Sequence, residues 1–192
     1  PPDSNYPTLQ GGTLASLDEA RKLFPKIPGV TYPPQMDDLE LLDFGPAFKG
    51  EGGRPAPQPK IGPRYNVYVP KPNDDGLDVG GVRPIEIRVP IGTHAGWNVR
   101  AKESRGPNLC ALDGSFIPFV ATTEQRTAGG DPRKSLEERY GTHDGYVKAV
   151  RDAARQLVTE HFLIEEDAAR FIKQAESSGI LKRDKVQLAG ED

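Results

Sequence analysis

An α+β chain is what this sequence predicts, and three patterns carry that expectation. All nineteen prolines fall within residues 1–132 of 192, so only the last third is free to form uninterrupted helices. Residues 64–70 and 83–89 alternate apolar with polar side chains, the period of a strand. Residues 147–158 instead repeat their apolar groups at helical spacing. Together these predict a loop-rich strap, a small antiparallel β-hairpin and a C-terminal helical hairpin. The divisions expected are 1–62 for an extended Pro/Gly-rich strap, 63–132 for the β-hairpin with long loops, and 133–192 for the helical segment.

In the strap, Ser16 and Glu19 form a capping-box pattern, with Leu17, Ala20 and Leu23 or Phe24 on one helical face. Pro25 ends that helix. The stretch FPKIPGVTYPP then carries Phe24, Ile27, Val30 and Tyr32 on backbone too proline-rich for regular structure, as expected of a segment laid across another surface. Residues 49–63, KGEGGRPAPQPKIGP, read as a surface loop or linker.

Arg64–Pro70 and Arg83–Val89 are the expected strand pair. Tyr65, Val67 and Val69 share one face of the first, and Ile85, Ile87 and Val89 one face of the second. Their connection KPNDDGLDVGGV is rich in turn residues, and two strands alone are not independently stable.

Ser135 and Glu138 repeat the capping-box pattern and open a short helix through Tyr140. Thr142 or Asp144 caps a longer helix bearing the stripe Val147, Val150, Ala154, Leu157 and Val158. A third helix is expected over roughly 165–178, with Glu165, Glu166 and Asp167 at the positive end of its dipole. Gly179 followed by Ile180 reads as its C-cap, with residues 182–192 fraying beyond. The two long helices are expected to pair antiparallel.

Composition excludes several classes. Gly and Pro number 21 and 19 of 192 residues, about a fifth against a usual 12% or so, which weighs against an ordinary compact α/β domain. No apolar run approaches the ~20 residues of a membrane span. A net charge of −3 gives no field for nucleic acid or anionic lipid. One cysteine, Cys110, excludes an intramolecular disulfide. The start at Pro1-Pro2 reads as a processed or cut end.

The search for chemistry is sparse. The nearest match to a nucleophile elbow, Ala175-Glu176-Ser177-Ser178-Gly179, ends an amphipathic helix with no strand before it, so it reads as a helix terminus. His94, His143 and His161 make no zinc-ligand spacing, and one cysteine cannot complete a zinc site. The run Asn73-Asp74-Asp75-Gly76-Leu77-Asp78 admits calcium or a turn, but lacks the spacing of the 12-residue calcium loop. No metal and no cofactor is expected. Gly92-Thr93-His94-Ala95-Gly96-Trp97-Asn98, a loop after a predicted strand, groups a histidine with the only tryptophan, and loops so placed concentrate function. A packed structural loop accounts for the same residues.

Seven stretches occur in a specific order: PPDSNYP at 1–7, FPKIPGV at 24–30, VPKPNDDG at 69–76, GVRPIEIRVP at 81–90, THAGWNVR at 93–100, GSFIPF at 114–119 and GDPRKSLEERYG at 130–141. This ordered set resembles the C-terminal part of a family of bacterial α/β-hydrolase domain-containing proteins. The resemblance covers nearly the whole chain. It implies an esterase-like serine hydrolase whose nucleophilic Ser and triad His precede this region, so that no catalytic residue is expected here and the segment completes an α/β-hydrolase fold. It implies as partners the N-terminal catalytic portion of the same protein and a small-molecule ester, with neither nucleic acid nor membrane, and an extracytoplasmic location. Thr93, His94 and Trp97 are the expected substrate-binding wall. Many relatives carry Tyr at the position of His94, which argues against a triad base there. The alternative, from composition alone, is a non-catalytic binding module. A module should bury its own aromatic residues, whereas a segment of a larger enzyme should leave many of them exposed.

Overall fold

Local capping chemistry decides the first element. A computed structural model describes residues 6–33, 39–48, 58–99 and 113–182. In it β1 (Leu14–Ser16) runs straight into α1 (Leu17–Leu23). Ser16 Oγ accepts from the Glu19 N–H, while the Glu19 carboxylate accepts from the Ser16 N–H and hydroxyl. Phe24 turns extended before Pro25, and the helix stops there.

The expected strand pair does not form. Tyr68–Pro70 (β4) pairs antiparallel with β1, in the register Leu14↔Pro70 to Ser16↔Tyr68. A separate ribbon joins β2 (Glu40–Asp43) to β3 (Lys60–Arg64). Ile85–Arg88 is a short helix, α2, preceded by Pro84 at its N-cap. The reason lies in the spacing: Ile85 and Val89 share a face in a strand, but four residues apart they also share a helix face. Here they bury that face against the C-terminal helices. Seven alternating residues cannot separate the two periods.

A second hairpin stands where a functional loop was expected: β5 (Gly92–Ala95) pairs with β6 (Ser115–Pro118), in the register Thr93↔Ile117 and His94↔Phe116. Another helix, α3 (Thr123–Gly129), opens with its own capping box between Thr122 and Gln125. It ends at Gly130 in the left-handed region at φ 69°.

The helical third follows its sequence pattern. α4 (Leu136–Tyr140) is boxed by Ser135 and Glu138, and Thr142 caps α5 (His143–Thr159) by accepting from the Gly145 N–H at 3.1 Å. Val147, Val150, Ala154 and Leu157 are buried along α5 and meet Ala168 and Ala175 of α6 (Glu165–Ser177). The pair is antiparallel, since His143 at the start of α5 reaches the Glu176 and Ile180 carbonyls at the end of α6. Gly179 is not the expected left-handed cap. Ser178 turns extended and donates its hydroxyl to the Ala175 carbonyl, and the His143 ring covers the exposed helix end. None of the described helices is long and apolar enough to cross a membrane. Most of the loop expected over 49–63, Pro1–Asn5, Cys110 and residues 183–192 lie outside the described residues.

Mixed helices with three small antiparallel ribbons make this an α+β arrangement.

Candidate functional site

A cleft of about 440 Å³ opens beside the loop that follows β5. Its residues come from distant parts of the chain: Leu17 and Ala20 of α1, Phe24 just past it, Tyr32, Val69 of β4, Asp78, and His94 to Trp97. Phe24, Tyr32 and Trp97 form one aromatic wall. Their ring centroids lie 5.1 to 5.4 Å apart in edge-on and tilted contact, the arrangement that the aromatic quadrupole favours. Proline-rich backbone is what lets residues 24–32 fold back on themselves and bring Phe24 against Tyr32. Burial pushes the Tyr32 hydroxyl pKa up, against the pull of Arg21, whose guanidinium sits 5.9 Å from the ring centroid.

Three expected wall residues take different places. His94 and Trp97 line the cleft. Thr93 does not: strand alternation turns it to the opposite face of β5, where it is 0% exposed. Its hydroxyl donates to the Asp75 carbonyl and accepts from Arg133 Nη1 at 2.9 Å. Thr93 therefore holds the wall from behind. The exposed His94 ring packs beside Phe116, centroids 4.9 Å apart, at the junction with a second groove of about 500 Å³ next to α6.

The loop Asn73–Asp78 is a turn built by its own side chain. Asn73 Oδ1 accepts from the Asp75 and Leu77 N–H groups at 2.9 and 3.0 Å. Gly76 sits at φ 73°, and a Cβ there would meet Phe24 and Thr93 side-chain atoms at 2.8 and 2.9 Å. Only glycine fits between the turn and the aromatic wall. Asp75 is held by the Arg139 guanidinium, and the described residues contain no cluster of metal-ligating side chains. Asp78 stands exposed at the cleft rim, where partial desolvation raises its carboxyl pKa.

Behind β5 lies a buried polar cluster centred on Arg133. Arg133 is 3% exposed, and all five of its N–H groups are engaged. Nε and Nη2 clasp the two oxygens of Asp131 at 3.0 and 2.7 Å. Nη1 reaches Thr93 Oγ1 and the Ile117 carbonyl, and Nη2 also reaches the Pro118 carbonyl at 3.2 Å. This guanidinium and that of Arg139 both lie over the Phe119 ring, 5.0 and 4.1 Å from its centroid. Asp131 feels burial, which raises its pKa, but the Arg133 hydrogen bonds and charge outweigh it and leave the carboxyl below its usual range. Sequence reasoning quoted NDDG, THAG, GSFIPF and GDPRKSLEERYG as separate segments. It missed that Arg133, Asp131 and Asp75 bind them into one unit, since nothing local marks a pairing forty residues long.

The hydroxyls of the described serines serve structure. Ser16 and Ser135 cap helices, Ser115 donates to the Trp97 carbonyl, and Ser177 and Ser178 donate to carbonyls at the end of α6. None of them is hydrogen-bonded to a histidine among the described residues.

An apolar, aromatic-walled cleft, backed by a buried arginine network, is thus set into an α+β domain. The comparisons name its family: the alpha/beta hydrolase domain model matches residues 31–173, and the chain belongs to that family, which points to a hydrolase-like function. No curated protein and no solved structure matches the chain.

Proposed function

We propose that this chain is the C-terminal segment of an esterase-like serine hydrolase. It supports the catalytic α/β-hydrolase portion of the same protein and lends its substrate pocket the wall carrying His94 and Trp97. The three stretches 1–62, 63–132 and 133–192 act together as one non-autonomous region. The parent reaction is hydrolysis of a small carboxylic ester: a serine attacks the carbonyl, a histidine takes and returns the proton, and backbone N–H groups stabilise the oxyanion. Those groups belong to the catalytic portion. Thr93 keeps β5, and with it the wall, in place.

The observation that carries this reading is the apolar surface of the β2–β3 ribbon. Leu39, Leu41, Leu42, Ile61 and Tyr65 are all exposed, Leu39 and Ile61 by 67% and 69%. A two-stranded ribbon is marginal by itself, and one that exposes this many large apolar side chains suits packing against another surface. A free-standing module would bury these side chains.

A fluorophosphonate probe tests the proposal, because it labels activated serines. The full-length source protein is labelled, digested and mapped by mass spectrometry. The label is expected on a serine of a polypeptide continuous with this chain, outside its 192 residues, together with hydrolysis of short p-nitrophenyl esters. Labelling of a serine within this chain, or an unlabelled and inactive full-length protein, overturns it.

A further inference from the structure

We propose that the cleft between α1, β4 and the Trp97 loop binds an organic cation, a small alkyl- or arylammonium, with its apolar body against the aromatic wall and its charge facing Asp78. This inference goes beyond the hydrolase reading and does not rest on it.

The argument starts from charge. The side chains lining the cleft include no lysine or arginine, and Asp78 is the only carboxylate among them. That carboxylate has no hydrogen-bond donor and no ion-pair partner among the described residues, unlike Asp75 and Asp131, which Arg139 and Arg133 hold. Although the residue is exposed at the rim, its apolar surroundings partly desolvate the carboxylate and raise its pKa, and no cationic side chain among the described residues offsets that. A ligand bringing a positive charge restores what the cleft removes.

The wall supplies the second half of the recognition. Tyr32 and Trp97 line the cavity as part of the aromatic cluster, and aromatic rings, tryptophan above all, attract cations through their quadrupole. The three rings touch one another, so they offer a faceted wall and not a cage with room between them. That geometry suits a cation lying on the wall with an apolar body filling the rest of about 440 Å³. Arg21, whose guanidinium approaches Tyr32, is absent from the cleft lining. An anionic ligand would meet an unneutralised carboxylate, and a neutral one would leave it as it is.

Trp97 is the only tryptophan in the chain, so its fluorescence reports on the cleft directly. The full-length source protein is titrated by calorimetry, and the 192-residue chain by Trp97 emission once thermal unfolding has shown it folded, with phenyltrimethylammonium, with its uncharged counterpart tert-butylbenzene, and with benzoate. The cation is expected to change Trp97 emission saturably and to bind roughly tenfold or more tighter than tert-butylbenzene, with benzoate weakest. Asp78→Asn should bring the cation to within about threefold of the neutral probe without altering the neutral probe's own affinity, and Asp78→Glu should keep the cation preference. Equal or tighter binding of the neutral probe, preference for benzoate, an unchanged ratio in Asp78→Asn, or no saturable response to any probe overturns the proposal. No hydrolysis enters the readout, so its failure is separate from that of the fluorophosphonate test.

Discussion

Arg133 is where single residues matter most. A guanidinium this deeply buried is tolerated because each N–H has an acceptor, two of them on Asp131. Removing one partner leaves the other charge buried and unpaired, which costs far more than the pair contributes. Arg133→Ala is therefore expected to destabilise the chain by about 3–5 kcal/mol at neutral pH, read by urea or thermal unfolding. The pH dependence follows from Asp131. Its folded-state pKa is lowered, so its stabilising contribution is complete above the unfolded value near 3.9 and is lost as the pH falls through the folded value. In the variant the carboxyl is buried without its cation and favours the protonated form. The gap between variant and parent should accordingly be widest near neutrality and narrow below about pH 4. A gap that is constant across that range would show that the charge of Asp131 plays no part. None of this was legible in the sequence. The resemblance singled out GDPRKSLEERYG, but a pairing of Arg133 with Thr93 depends on how β5 and β6 stack, not on any local pattern.

At the scale of elements, what the sequence announced was what local chemistry controls. Each helix that opens with a Ser or Thr cap and a Glu or Gln three residues later formed as its pattern requires, α3 included, although its Thr122–Gln125 signal passed unread among the loops. The strands were less legible. β1 and β4 lie more than fifty residues apart, and nothing in Tyr68–Pro70 encodes Leu14–Ser16 as its partner. The end of α5 carries a local conflict that sequence cannot reveal either. His161 adopts φ 62°, the left-handed region, with an exposed side chain that makes no hydrogen bond or ion pair among the described residues. A non-glycine residue there pays a steric penalty of about 1–2 kcal/mol, partly offset in glycine by a more flexible unfolded chain. His161→Gly is expected to stabilise by about 0.5–1 kcal/mol, raising Tm by about 1–4 °C for a chain of this size. An unchanged or lower Tm would mean that the turn into α6 depends on the imidazole itself.

The whole molecule is uneven. One end holds a packed helical core of α2, α5 and α6, and the other holds a ribbon with large apolar side chains in solvent. Residues 24–32, within the stretch expected to form a strap, are irregular and fold the Phe24–Tyr32 pair onto Trp97. The ribbon is where the proposed wrapping of a catalytic portion can be tested without assaying any reaction. Leu42 and Ile61 are register partners on β2 and β3, both exposed, and neither belongs to the helical core. Replacing exposed side chains away from special features changes the stability of a domain by no more than about 0.5 kcal/mol. Leu42→Lys with Ile61→Glu is thus expected to leave the unfolding of the 192-residue chain essentially unchanged and to reduce its self-association. The pair keeps opposite charges face to face, so the ribbon itself loses little. In the full-length protein the same double substitution would bury two charges in an apolar interface, and a loss of several kcal/mol with a matching fall in Tm is expected. The two measurements must diverge if the ribbon docks against the catalytic portion. An equally small effect in both proteins would place the ribbon in solvent in the assembled enzyme, and the support proposed for this chain would have to run through another face.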